Sequence, residues 1–358
     1  MTANDESAQR LDSLRTASKL LFRSGLVTVI GSGWSCGKGL PSMSKLADAC
    51  ATQVPLSEFF GDLDDAGISD WATFSEELST SGDFEQTMNS VSNGSLLLQI
   101  IENVIVAAVS DAEAPAIEAI VAGEPKSTDL TRFITYLARV ENPISILTTN
   151  YDRLVEYSAR MAGHHVDSLF SGYPIGRLDP DASRAEQWLL KSVRGKRRTV
   201  DRMYVEVLKP HGSLDWRELS DGSVVRSDAV LGTRRSIVSP GASKLEKGYQ
   251  PLFDTHRIAA NRRVNGASGF LFVGYGFGDS HLQAYIEDRL NDGVPGLLLT
   301  KTLTAHARRF LESYPALFAV SESTDPGRSV LSDHEGDLEV EIQGLWSLDG
   351  YLREIHHQ

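Results

Sequence analysis

The segment GSGWSCGKGLPS, Gly31 to Ser42, follows the apolar run LVTVI and precedes the helix-like stretch KLADACATQV. A strand, a glycine-rich turn and a helix start in immediate succession are the makings of an α/β fold with a phosphate cradle. Unpaired backbone N–H groups and the helix dipole attract anions at a helix N-terminus, and glycine admits a phosphate where a Cβ would block it. The expectation is a nucleotide whose phosphates lie against Gly31, Ser32 and Gly33, with Ser35 as a side-chain donor.

The spacing narrows the choice of nucleotide fold. A dinucleotide-binding dehydrogenase loop needs a third glycine at position 36, which here is Cys36, and no acidic residue closes a second strand about 20 residues on. The ordinary dehydrogenase fingerprint fails. What remains is Gly31, Gly33, Ser35, Gly39 and Pro41.

A chain of 358 residues that is 41% hydrophobic can bury a large core, so one α/β domain spanning residues 1–358 is expected. A net charge of -13 disfavours direct nucleic-acid binding. Two cysteines, Cys36 and Cys50, exclude a four-cysteine zinc module and a disulfide framework. MTANDESAQRLDSLR is too acidic and polar for a signal peptide, and no stretch reaches the roughly 18 to 20 apolar residues of a membrane span. No membrane contact and a cytoplasmic location are expected.

Residues 6–24 read as an opening helix, and residues 51–140 as an embedded helical subdomain with core stripes such as Phe74, Leu78, Phe84 and Met88. Apolar strands then recur at SILTT, MYVEVLK, GFLFVGYGF, GLLLT and ALFAV. Continuous apolar runs of this length suit a parallel sheet covered on both faces. Residues 300–358 either complete that sheet or dock a partner, with LEVEIQ as a strand and a short helix around Tyr351. Four of the strands end in polar or glycine-rich turns: the one at Gly31, then Asn150 to Asp152, His211 with Gly212, and Gly274 to Asp279. In open α/β sheets such turns line the ligand crevice.

In order and context these residues resemble the sirtuin motifs G-A-G-x-S-x-x-x-G-I-P, T-Q-N-I-D and H-G, from about residue 26 to about residue 282. TTNYD, KPHGSLDW, VSPG and FLFVGYGFGDSHL together look like divergent sirtuin-like proteins of bacterial antiphage defence. The departures are Ser42, Met43 and Ser44 where deacylases carry an arginine-containing stretch, and the absent zinc cysteines. The resemblance implies a Rossmann-like parallel sheet without a zinc ribbon, NAD as substrate with no metal, and hydrolysis of NAD in place of protein deacylation. It also implies an NAD-depleting defence effector restrained until triggered, a HerA-like hexameric ATPase as partner, and a homo-oligomer. The competing readings are a non-catalytic NAD or ADP-ribose binding module and an NAD-dependent deacylase.

Cleavage of the nicotinamide–ribose bond passes through an oxocarbenium-like state and needs a water placed at C1. His211 suits a general base, since its unperturbed pKa of about 6.5 lets it take a proton near neutrality. Asn150 suits an orienter of water or ribose. Asp152 is open among three roles: orienting Asn150, stabilising ribose charge, or capping the next helix. Gly274 and Gly276 are assigned to close approach of the adenosine half and Asp279 to a ribose hydroxyl. Trp34 and Tyr151 either cover the nicotinamide or belong to the core, and KSVRGKRR reads as an exposed loop.

Overall fold

The computed structural model describes residues 3–81, 83–193, 196–229, 234–239, 241 and 251–356. Helix α1 (Ala3–Leu21) leads into β1 (Leu26–Ile30), which is buried at all five positions. A short α2 (Ser32–Cys36) follows, then α3 (Met43–Gln53), capped where the Ser42 hydroxyl accepts from the Lys45 N–H. Helices α4 (Asp65–Ser81), α5 (Phe84–Thr87), α6 (Leu96–Val121) and α7 (Asp129–Leu137) complete the helical stretch.

The chain continues through β2 (Ile144–Thr148), α8 (Leu154–Met161), β3 (His165–Asp167), β4 (Phe170–Ser171), β5 (Gly176–Leu178) and α9 (Pro180–Ala185). Seven more strands precede the last crossings: β6 (Trp188–Val193), β7 (Lys196–Asp201), β8 (Tyr204–Leu208), β9 (Gly212–Glu218), β10 (Val224–Arg226), β11 (Arg235–Ile237) and β12 (Gly269–Val273). The last four are β13 (Gly296–Leu299), β14 (Leu317–Glu322), β15 (Ser329–Asp333) and β16 (Gly336–Val340).

The main sheet has the order β16-β15-β14-β13-β12-β1-β2-β8-β3. Pairing is parallel from β14 to β3, and antiparallel only where β15 and β16 extend the edge. The sheet is covered on both sides. Leu26 and Ile30 of β1 face a core containing Leu21, Ile101, Phe133 and Tyr351, while Val27 and Val29 face another containing Val264, Phe272 and Ile286. The period of two along a strand sorts these residues to opposite faces, which is why the run LVTVI is apolar throughout.

Two structures lie outside this frame. Strands β11-β9-β10-β5-β4 form a small antiparallel sheet, and β6 and β7 pair only with each other. The segment KSVRGKRR, expected as a loop, is in its described part the strand pair Lys191–Val193 and Lys196–Arg198. Lys191, Ser192 and Val193, and then the consecutive cations Lys196, Arg197 and Arg198, show no apolar alternation to announce a strand.

Adjacent β1 and β12 approach so closely beyond their ends that their glycines are obligatory. A Cβ on Gly31 would lie 2.6 Å from the Tyr275 Cα, and one on Gly274, at φ +58, would lie 2.6 Å from the Gly33 carbonyl carbon. Gly274→Ala should therefore lower thermal stability by at least about 1–3 kcal/mol, the usual cost of forcing extra atoms into a packed interior. Differential scanning calorimetry checks this; an unchanged melting temperature contradicts the packing described.

Candidate active site

Strands β12, β1, β2 and β8 are neighbours in the sheet, so the turns that follow them stand side by side at its carboxyl edge. They open onto a cavity of about 720 Å³, within the range of about 300–1,000 Å³ usual for small-molecule sites. Gly31, Ser32, Ser35, Asn150, Asp152, His211, Gly276 and Asp279 all line it. Gly33 and Gly274 do not.

The glycine turn departs from the cradle read in the sequence. The Gly33 N–H donates to the Gly274 carbonyl at 3.0 Å, and the Gly31 N–H donates to the Val273 carbonyl at 3.0 Å. Two of the three expected phosphate donors are thus spent on the neighbouring turn. Gly33 and Gly274 serve the packing of β1 against β12, and their lack of side chains answers to backbone, not to a ligand.

Ser35 is likewise engaged. Its buried hydroxyl accepts from Asn150 Nδ2 at 2.8 Å and donates to Asp152 Oδ2 at 2.8 Å, so it relays between two site residues instead of reaching a phosphate. Asn150 Nδ2 also donates to the Gly31 carbonyl at 3.0 Å. Because a carbonyl can only accept, this bond fixes the amide orientation. Both amide hydrogens are occupied, and what Asn150 offers a ligand is the acceptor Oδ1.

Asp152 fills two of the roles left open by the sequence. Oδ1 accepts from the Leu154 N–H at 3.2 Å, at the start of α8, while Oδ2 steadies Asn150 through Ser35. Burial raises its carboxyl above the ordinary value, and Lys209 and the Ser35 hydroxyl pull in the opposite direction.

Across the cavity, His211 Nε2 stands 2.6 Å from Asp279 Oδ2. Asp279, assigned from sequence to a ribose hydroxyl, is therefore also the partner of the histidine. Its other oxygen accepts from the Leu282 N–H at 3.2 Å. Gly212 follows His211 at φ +92, where a Cβ would lie 2.9 Å from the Ile237 Cα. That close approach explains the His-Gly pair. The turn carrying Asp279 includes Phe277 at φ 56, a non-glycine residue in the left-handed region that costs of order 1–3 kcal/mol and is held by full burial against Phe272 and Phe310.

Three features escaped the sequence reading. Tyr275 lines the cavity and its hydroxyl is buried without a hydrogen-bond partner among the described residues. An orphan of this kind is costly unless a ligand meets it. Second, the lining carries Asp83, Glu85, Asp152 and Asp279, with no Lys or Arg among its described residues. Third, Lys209 is a fully buried lysine whose Nζ donates to the Asp152 carbonyl, to Ser213 Oγ at 3.0 Å and to Glu156 Oε1 at 3.2 Å. Its place directly before Pro210 and His211 was the only sequence signal. The aromatic pair divides: Trp34 is core, its Nε1 donating to Asp129 at 3.3 Å, whereas Tyr151 lines the cavity with its hydroxyl donating to the Val238 carbonyl at 2.6 Å.

Behind Lys209, the fully buried His256 accepts the Lys209 N–H on Nδ1 at 3.2 Å and packs against Trp216 with ring centroids 4.6 Å apart and planes tilted by 39°. Burial, and then the Lys209 charge, push its imidazole down to about 3. The unfolded chain, with an ordinary imidazole near 6.5, binds the proton more readily, so stability falls as pH drops below about 6.5. The loss from this group should reach about 2 kcal/mol by pH 5. Chemical denaturation at neutral pH and at pH 5 should show that slope reduced in His256→Phe; an unaltered slope removes His256 as its source.

The family model described as a SIR2-like domain matches residues 144–315. That span holds Asn150, Asp152, His211, Gly274, Gly276 and Asp279, while the glycine turn after β1 lies upstream of it. Over these residues, just under half of the chain, the protein is similar to that family, and they include the parallel strands β2, β8, β12 and β13 of the main sheet. Among curated proteins none matches the sequence. One similar solved structure comes from work on the mechanism and regulation of Sir2 enzymes: TM-score 0.40, 14% identity, 82% of this chain and 88% of that chain covered. Another is a mutant Sir2 homologue in complex with 2'-O-acetyl ADP ribose: TM-score 0.34, 13% identity, 79% and 82% covered.

Proposed function

We propose that this protein hydrolyses NAD at the nicotinamide–ribose bond, releasing nicotinamide and ADP-ribose, and that it acts as an NAD-depleting effector in bacterial antiviral defence. The observation that carries the chemistry is the placement of the Asn150 Oδ1 acceptor and the His211–Asp279 pair on one cavity at the carboxyl edge of the sheet. The cavity volume and the orphan Tyr275 hydroxyl suit a dinucleotide, and the acidic lining suits its cationic pyridinium but not its pyrophosphate.

The reaction asks little of the protein. As the N–C1 bond breaks, its electron pair leaves with nicotinamide, and positive charge passes to the ribose. Carboxylates around the cavity favour that charge, and a low-dielectric wall strengthens the effect. Asn150 Oδ1 accepts a hydrogen bond from the attacking water or a ribose hydroxyl, held still by Gly31 and Ser35. The water oxygen bonds to C1 and its proton passes to His211, oriented by Asp279.

The defence role, control by assembly and pairing with a HerA-like ATPase are supported by the motif set TTNYD, KPHGSLDW and GYGFGDSHL. The test is to incubate the purified chain with NAD, alone and with the HerA-like ATPase, and to measure nicotinamide and ADP-ribose by chromatography. Stoichiometric release of both is expected. NAD bound but left intact in both arms would replace hydrolysis with a binding role, and O-acetyl-ADP-ribose formed from an acetylated peptide would replace it with deacylation.

A further inference from the structure

The β6–β7 hairpin joins neither of the larger sheets. Residues 188–201 contain five cations, Lys191, Arg194, Lys196, Arg197 and Arg198, against one acid, Asp201. The strand register sorts most of these charges by face. Lys191 stands opposite Arg198, and Lys196 lies two residues from Arg198 on the same strand, so these three share one face. Trp188, Leu190, Arg197 and Asp201 fall on the other. Lys191, Lys196 and Arg198 are exposed, and none forms an ion pair among the described residues. Asp201 is instead paired with Arg184 at 3.1 Å.

The charge of the whole chain argues against a polyanionic partner only as an average. Between Lys45 and Lys126 the sequence contains no Lys or Arg but fifteen Asp and Glu residues. This one interval is more negative than the whole chain at -13, so the remainder is slightly positive. Salt confines the reach of an exposed charge to about 10 Å at 0.1 M, so the hairpin's own cations decide what meets it.

We propose that the Lys191–Lys196–Arg198 face holds the phosphate backbone of a DNA duplex. A protein interface needs an apolar or aromatic centre, and the apolar pair on this face, Leu189 and Val200, is half-buried and lies further from the turn. An anionic membrane would draw the cations and the exposed Trp188 and Leu190 to one surface, but the register sets them on opposite faces. Single strands are gripped by stacking on aromatic side chains, and Trp188 again faces the wrong way. A duplex asks only for cations: it carries a charge every ~1.7 Å of its axis, twice that of one strand. Its major groove, about 12 Å wide, admits a two-stranded ribbon. Phosphate contacts position without specifying, so binding should be indifferent to sequence. It holds independently of the reaction catalysed.

Fluorescence anisotropy of the full chain with a labelled DNA duplex of mixed sequence should show binding on the order of micromolar at low salt. The affinity should fall with rising salt at a log–log slope of about -3, close to -0.9 for each of three phosphates. Replacing Lys191, Lys196 and Arg198 together with Ala should leave the chain folded by circular dichroism, weaken duplex binding by at least about tenfold and flatten that slope. Arg197→Ala, on the opposite face, should stay within about twofold of the parent. No binding at low salt, a triple variant that binds like the parent, or an Arg197→Ala loss as large as the triple variant's overturns the proposal. So does a single strand, an anionic phospholipid vesicle or polyglutamate held as tightly as the duplex.

Discussion

His211→Gln should slow NAD cleavage by about 10²- to 10⁴-fold, the contribution typical of a positioned acid–base group, while NAD binding measured by calorimetry changes little. Glutamine keeps a donor toward Asp279 but cannot take a proton from water. Asn150→Ala should give a loss of similar size with weaker ligand orientation, because it removes Oδ1 and also one of the two donors, with the Trp34 N–H, to the Gly31 carbonyl. Asp279→Asn should fall between these and the parent, since it loosens the imidazole without removing it. Nicotinamide release under saturating NAD distinguishes the outcomes. Turnover within a few-fold of the parent in His211→Gln would take the histidine out of the reaction and leave the acidic wall and Asn150 as the catalytic elements.

Those residues are legible in the sequence because each sits just past a largely apolar strand that is buried throughout, and adjacency of β12, β1, β2 and β8 brings together what lies far apart in the chain. What was illegible has physical reasons. The glycines at 31, 33 and 274 signal close approach, but sequence does not say whether phosphate or backbone approaches; here it is backbone. A serine after a glycine turn reads as a phosphate donor until its hydroxyl is seen between Asn150 and Asp152. The strands of the small antiparallel sheet run from two to seven residues, too short for most of them to show a period. Lys209 reads as an ordinary surface residue because burial of its charge depends on carbonyls supplied by a turn more than fifty residues upstream.

Lys209 is where the fold and the site are joined, and its removal should be felt in both. It is 1% exposed, ties the turn after β2 to the turn after β8 through the Asp152 carbonyl and Ser213, and neutralises Glu156. Lys209→Met should destabilise the protein by roughly 3–5 kcal/mol, because taking away one member of a buried pair leaves the other charge uncompensated. Glu156→Gln added to Lys209→Met should restore much of that stability by removing the stranded charge. Turnover should not return with it: the Asp152 carbonyl remains untethered, and Asp152 itself, no longer beside a cation, is pushed further toward its protonated form. A neutral Asp152 can donate to Ser35, reversing the Ser35–Asp152 bond and freeing the Ser35 hydroxyl proton, so that Ser35 is a less firmly held acceptor for Asn150. Thermal melts and nicotinamide release on the single and double variants separate the two effects. Recovery of activity in step with stability would reduce Lys209 to a structural ion pair, whereas stability without activity makes it the residue that positions the site.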